Sequence, residues 1–99
     1  MSYTVINELF VDSADIEAFE KNFAASMNGT LVGVAGLLKA RLLAPETEGS
    51  GYLSILEFTD REAYHDYLSS TEFAAAHSWP EHAPFHSNRL TEFSSIFHL

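Results

Sequence analysis

Apolar and polar positions alternate from Tyr3 to Val11, which predicts a strand. Tyr3, Val5, Asn7, Leu9 and Val11 share one face; Thr4, Ile6, Glu8 and Phe10 share the other. Asp12 and Ser13 are N-cap candidates for a helix from Ala14 to about Met27. Ile16, Phe19, Phe23 and Met27 form its apolar face, Asp15, Glu17, Glu20 and Lys21 lie mostly on the wet side, and Asn28-Gly29 ends it. Leu37 to Leu43 reads as a strand with Lys39 and Arg41 on one face and Leu38, Ala40 and Leu42 on the other. The acidic turn Pro45 to Gly51 leads into a third strand, Tyr52 to Phe58, whose two faces are both largely apolar. Thr59-Asp60-Arg61-Glu62 is a capping box with Thr59 as the expected N-cap, and Ala63, Tyr64, Tyr67 and Leu68 follow as a helical stripe. Ser69-Ser70-Thr71-Glu72 repeats that grammar, after which Phe73, Ala76 and His77 share the face of a second short helix. Pro80 and Pro84 then forbid a continuous helix through Ser78 to Asn88, and Leu90 to Leu99 alternates as a last strand.

The resulting order, β-α-β-β-α-β, is the split βαβ of a ferredoxin-like α+β fold with an antiparallel sheet, built as a single domain over residues 1–99. Two helices cover one face of such a sheet. The other face, carrying residues such as Phe10, Phe93 and Phe97 or their alternates, needs a cover, and a second copy of the sheet supplies it; a homodimer is expected.

Charge narrows the partners. A net charge of −9 and an isoelectric point near 4.7 argue against nucleic acid, whose binding rests on phosphate neutralisation, and against anionic membranes. The absence of cysteine removes disulfides, thiolate catalysis and thiolate ligation. No basic leader with an apolar core precedes the first strand, and no apolar run approaches a membrane span, so a cytoplasmic protein is expected.

The side chains that could carry chemistry are few. His77, His82 and His86 fall within ten residues, but the two prolines spoil regular spacing and no HxxxH or HExxH pattern sits on a helix. There is no nucleophile elbow and no glycine-rich phosphate loop. What remains is Asn7, His77 and the aromatic loop that follows it. Asn7 interrupts an apolar strand face: either a neighbouring backbone group satisfies its amide, or it is a donor aimed into a pocket. His77 is either a partly buried, satisfied histidine or a ligand or base. Phe19 and Phe23, one turn apart, are either plain core or the wall of a cavity.

Asn7, the segment Gly36 to Pro45 (GLLKARLLAP) and the segment Phe58 to His77 (FTDREAYHDYLSSTEFAAAH) resemble the antibiotic-biosynthesis-monooxygenase (ABM) domains of the dimeric α/β-barrel superfamily, and among them the IsdG-type haem-degrading monooxygenases. The resemblance covers nearly the whole chain. It implies haem as substrate and cofactor, with His77 as axial ligand to the iron and Asn7 as hydrogen-bond donor on the opposite side, near bound dioxygen. It places Tyr67 where haem-degrading members carry a tryptophan pressing on the porphyrin, with Phe23, Phe73 and Trp79 lining the pocket. Lys39, Arg41 or Arg89 would offset the propionates. Three functions follow. One is haem cleavage with dioxygen and an external reductant. Another is cofactor-independent oxidation of a polycyclic phenol to a quinone, with Asn7, Tyr67, His77 and Trp79 positioning substrate and proton. The third is a non-catalytic dimeric domain for a small hydrophobic or aromatic ligand, with His77 structural.

Overall fold

The computed structural model describes residues 2–70, 87–97 and 99. Within them the chain runs β1 (Tyr3–Phe10), a 3-10 turn (Ser13–Asp15), α1 (Ile16–Thr30), β2 (Leu37–Leu43), β3 (Tyr52–Phe58), α2 (Arg61–Leu68) and β4 (Ser87–Ser94). The strands form one antiparallel sheet in the order β2-β3-β1-β4. This is the expected ferredoxin-like α+β topology. The expected short helix at Phe73 to His77 lies outside the described residues.

Register makes the two faces explicit. Tyr3, Val5, Asn7 and Leu9 stand opposite Phe58, Leu56, Ser54 and Tyr52 of β3, and opposite Ser94, Glu92, Leu90 and Asn88 of β4. This face carries the helices. Its core falls into two clusters. One joins Val5, Leu31, Phe58, Tyr64 and Tyr67, with Met27, Leu37, Leu56 and Ala63 packed around it. The other joins Leu9, Phe19 and Tyr52, with Val11, Phe23 and Leu42 beside it. Leu9, Phe19 and Phe58 are fully buried, each contributing roughly 1.5–3 kcal/mol of apolar transfer. The helix-free face holds Thr4, Ile6, Glu8, Leu53, Ile55, Glu57, Lys39, Arg41, Arg89 and Phe93 by the same register.

Local chemistry moves several boundaries from where the pattern puts them. The N-cap of α2 is Asp60 and not Thr59: the Asp60 carboxylate accepts from the Ala63 N–H at 2.8 Å, while the Thr59 N–H donates to the Gly36 carbonyl at 2.8 Å and so ties the helix start to the entry of β2. Helix α1 runs through Asn28 and Gly29 to Thr30, because Leu31 is drawn into the core and the chain turns only at Gly33, with φ +86°. Strand β1 stops at Phe10. Strand β4 begins at Ser87 and stops at Ser94, because its partner β1 begins at Tyr3; one last bond, Ser95 N–H to the Ser2 carbonyl at 2.9 Å, ends the ladder. An irregularity between Leu37 and Lys39 shifts the pairing of β2, so Leu37, Ala40 and Leu42 share the helix-side face and Leu38 leaves the alternation.

Gly36 marks a close approach. It has φ +80°, and a Cβ placed there would stand 2.5 Å from the Ala63 Cβ and 3.2 Å from the Thr59 Oγ1. Only a residue without a side chain lets the start of β2 pass under α2.

Candidate active site

Asn7 sits between the two apolar clusters. Val5, its neighbour on the same face, belongs to the cluster under α2, and Leu9, the next neighbour, to the cluster under α1. Across the ladder it faces Ser54, which is only 8% exposed, and on the other side Leu90, which is 51% exposed. Ser54, Asn7 and Leu90 therefore form a row over three strands in which the apolar surface is broken by two polar side chains. The Asn7 Oδ1 accepts a 3.0 Å hydrogen bond from Nδ2 of Asn88, the residue opposite Leu9 on the same face. A carboxamide held at its oxygen in this way can turn its N–H donors toward a ligand.

The other expected site residues divide into two groups. Tyr67 is 3% exposed and packs in the core under α2, its ring centroid 5.6 Å from that of Phe58. Phe23 is half-buried beside the second cluster, 5.1 Å from Phe19. Each thus belongs to a cluster flanking Asn7. Phe73, His77 and Trp79 lie outside the described residues, as do His82 and His86. Among the described residues no three His, Cys, Asp or Glu side chains gather as a metal site.

The cations fall elsewhere. Lys39 pairs with Glu57, Arg41 with Ile55 and Arg89 with Glu8 in the register, and all three alternate onto the helix-free face, away from Asn7. In the pairing register none of the three therefore stands beside Asn7, while Lys39 and Arg41 border the groove between α1 and β2.

Two tyrosines with raised pKa, Tyr3 and Tyr52, lie at the ends of the Asn7 face, and a third, Tyr64 of α2, packs against Tyr3. The Tyr52 hydroxyl donates to Glu20 Oε2 at 2.6 Å, and this bond, then burial, pushes its pKa up to about 12. Tyr3 is raised chiefly by its hydrogen bond to Glu92, and Tyr64 chiefly by burial. All three remain neutral phenols at physiological pH, serving as donors and packing groups. A separate groove of about 380 Å³ runs between α1 and β2, lined by Ala24, Met27, Leu31, Leu38, Ala40 and Leu42 among others.

Sequence reasoning passed over Ser54 and Asn88. Their signal is the pairing register, which sets both beside Asn7 and which no single strand reveals.

Over residues 2–79 the chain matches the family described as antibiotic biosynthesis monooxygenase. No curated protein matches it significantly. Among solved structures it is similar to MhuD, a heme-degrader from Mycobacterium tuberculosis determined with two hemes bound in its active site: 21% identity, 98% of each chain covered, TM-score 0.82. It is also similar to SnoaB, a cofactor-independent oxygenase from Streptomyces nogalater: 20% identity, 99% of this chain and 96% of that chain covered, TM-score 0.73. At these identities the likeness establishes the fold.

Proposed function

The chain belongs to the antibiotic biosynthesis monooxygenase family, and on that premise we propose that it is a monooxygenase that binds and cleaves haem, using dioxygen and an external reductant. The observation that carries this reading is Asn7: a half-buried carboxamide, its oxygen engaged by Asn88, flanked by apolar clusters on both sides. A planar macrocycle needs apolar surface and a donor over its centre, and the half-buried Asn7 between two apolar clusters supports this reading. The likeness in fold to MhuD along the whole chain supports the same reading.

Haem bound here supplies the iron that activates dioxygen. The chain's own residues do the rest. His77 would hold the group, Asn7 would donate a hydrogen bond to the bound ligand, and Phe23, Phe73 and Trp79, backed by the buried Tyr67, would exclude water around it. Excluding water strengthens the single Asn7 hydrogen bond, because its competitor is removed.

A second reading is favoured by one observation. The cations expected to meet the propionates lie on the opposite face of the sheet. A neutral polycyclic phenol makes no such demand, and SnoaB, described as cofactor-independent, shares the fold. In that case Asn7 would hold the phenol oxygen while the apolar walls desolvate the ring.

Hemin titration followed by absorbance separates the two. Haem binding predicts a Soret band of histidine ligation that disappears in His77→Ala and persists, shifted, in Asn7→Ala. An unchanged spectrum in His77→Ala removes the haem assignment. Turnover of an anthrone under oxygen, without iron or flavin, establishes the second reading instead.

In this reading a second copy of the chain covers the helix-free face. Ile6, Phe10, Leu53 and Ile55 are half-buried there and Phe93 is exposed. The homodimer and a cytoplasmic location remain part of the proposal; no helix among the described residues is long and apolar enough to cross a membrane.

A further inference from the structure

We propose that Asn88 is a positioning residue that sets the polarity of the Asn7 site. A carboxamide presents a donor at one end and an acceptor at the other, and the two ends differ little in shape. Which end faces a ligand is therefore decided by what holds the opposite end. In this protein that holder is Asn88. It stands on the same face as Asn7, two positions along β4 from the residue directly opposite, and its Nδ2 donates to Asn7 Oδ1 at 3.0 Å.

The arrangement has a direction for a physical reason. Asn88 is exposed and Asn7 is half-buried. Water can hydrate the remaining carbonyl of Asn88 at no cost. The remaining N–H donors of Asn7 reach water when no ligand is bound, and they stand beside two apolar clusters, where an acceptor oxygen on a bound ligand can replace that water. In the reverse arrangement Asn7 would turn its carbonyl toward that ligand and repel the same oxygen. Asn88 thus makes the site selective for ligands with an acceptor over Asn7, such as a phenolate, a quinone carbonyl or an oxygen species, against those offering a donor. This inference rests on Asn7 being the ligand-facing donor of the proposed function, but its first test needs no ligand.

The test uses Asn88→Asp. The ionised carboxylate that this substitution introduces has no donor, so Asn7 must turn its NH2 toward it and present its carbonyl to the site. In wild-type protein labelled with 15N, the Asn88 side-chain N–H pair is expected to carry the hydrogen-bonded shift, with the Asn7 pair exchanging rapidly with water. In Asn88→Asp the Asn7 pair should move downfield and exchange more slowly. Asn7 side-chain resonances unchanged by the substitution overturn the proposal. A second arm measures hemin affinity of wild type, Asn88→Asp and Asn88→Ala. Loss of about tenfold in Asn88→Asp is expected for one hydrogen bond turned into a repulsion, with a smaller loss in Asn88→Ala, whose Asn7 is free to choose. Equal affinity of wild type and Asn88→Asp overturns it. If wild-type protein binds no hemin, the haem reading fails and the resonance shifts alone decide the role of Asn88. Thermal midpoints of the variants should stay close to wild type, since Asn88 is exposed; a change confined to stability, with Asn7 unmoved, also counts against it.

Discussion

The Tyr52 hydroxyl and the Glu20 carboxylate meet at 2.6 Å, and through them the middle of α1 is fastened to the first residue of β3. The residues are 32 apart in sequence. Tyr52 is itself one wall of the cluster holding Leu9 and Phe19, with its ring 4.8 Å from Phe19. The bond therefore holds Phe19 and Phe23 in place on one flank of Asn7. Glu20, which the helical pattern assigns to the wet side, is a structural tie.

That tie gives a pH dependence with a definite sign. The Tyr52 pKa rises from 10.0 to about 12 on folding. The folded state keeps a proton that the unfolded chain releases. The stabilisation is fully present below pH 10 and is lost as pH rises from 10 toward 12. Tyr3 and Tyr64 shift in the same direction and add to that slope. Tyr52→Phe should lose about 1 kcal/mol at neutral pH and unfold with a shallower alkaline decline than wild type. Urea unfolding at pH 8, 10 and 11.5 measures both; identical slopes in the two proteins would rule out the Tyr52 contribution.

Gly36 and Gly33 form a natural pair for substitution. Both have positive φ, +80° and +86°. Alanine at Gly33 meets nothing within 4 Å, so it should cost only backbone strain, about 1–2 kcal/mol. Alanine at Gly36 adds a methyl 2.5 Å from the Ala63 Cβ. It must push α2 off the entry of β2, at about 2–4 kcal/mol in all. Because α2 carries Tyr67, Gly36→Ala should also disturb the near-ultraviolet signal of the Tyr64 and Tyr67 cluster, whereas Gly33→Ala should not. Equal destabilisation of the two variants would mean the contact at Ala63 is relieved without cost.

The fold was legible because strand alternation and helix periodicity are local. β2 and β3 run from Leu37 to Leu43 and from Tyr52 to Phe58, as the pattern predicts. Ends were less legible, because ends depend on partners. Nothing inside β4 says it must stop at Ser94; the start of β1 at Tyr3 does. Nothing in Thr59-Asp60 says which residue caps; the Gly36 carbonyl, 23 positions upstream, takes the Thr59 N–H and leaves the cap to Asp60. The candidate site was legible in the same measure. Asn7 stood out as a polar residue on an apolar face. Ser54 and Asn88 did not, because each is ordinary in its own strand and acquires meaning only across the register.

The cap on α2 is a third test. Asp60 accepts from Ala63 N–H and also places a negative charge at the helix N-terminus. Asp60→Ala should cost about 1 kcal/mol and Asp60→Asn less than half of that, since asparagine caps about as well. Thr59→Ala, by contrast, should be close to neutral, because the bond to Gly36 uses its backbone. A Thr59→Ala loss larger than that of Asp60→Ala would return the cap to Thr59.

The helix-free face carries the last prediction. Ile6 and Ile55 stand side by side at its centre, with Arg41 and Thr91 at the two ends of their row. In the rows on either side Lys39 stands opposite Glu57 and Arg89 opposite Glu8, so charges of opposite sign can balance within the sheet. The centre is apolar and most of its charged neighbours stand opposite a residue of the other sign in the register, which favours covering the surface without stranding a charge. A second copy laid face to face would bury about 800 Å² per partner in an interface of ordinary size. Ile55→Lys would set two ammonium groups near the two-fold axis, unpaired and facing each other, at a cost of several kcal/mol. Light scattering should then show wild type at twice the protomer mass and Ile55→Lys at the protomer mass over the same concentrations. Lys39→Ala, at the edge, should remain dimeric. Wild-type protein that scatters as a protomer at micromolar concentration sinks the second copy as the cover of this face.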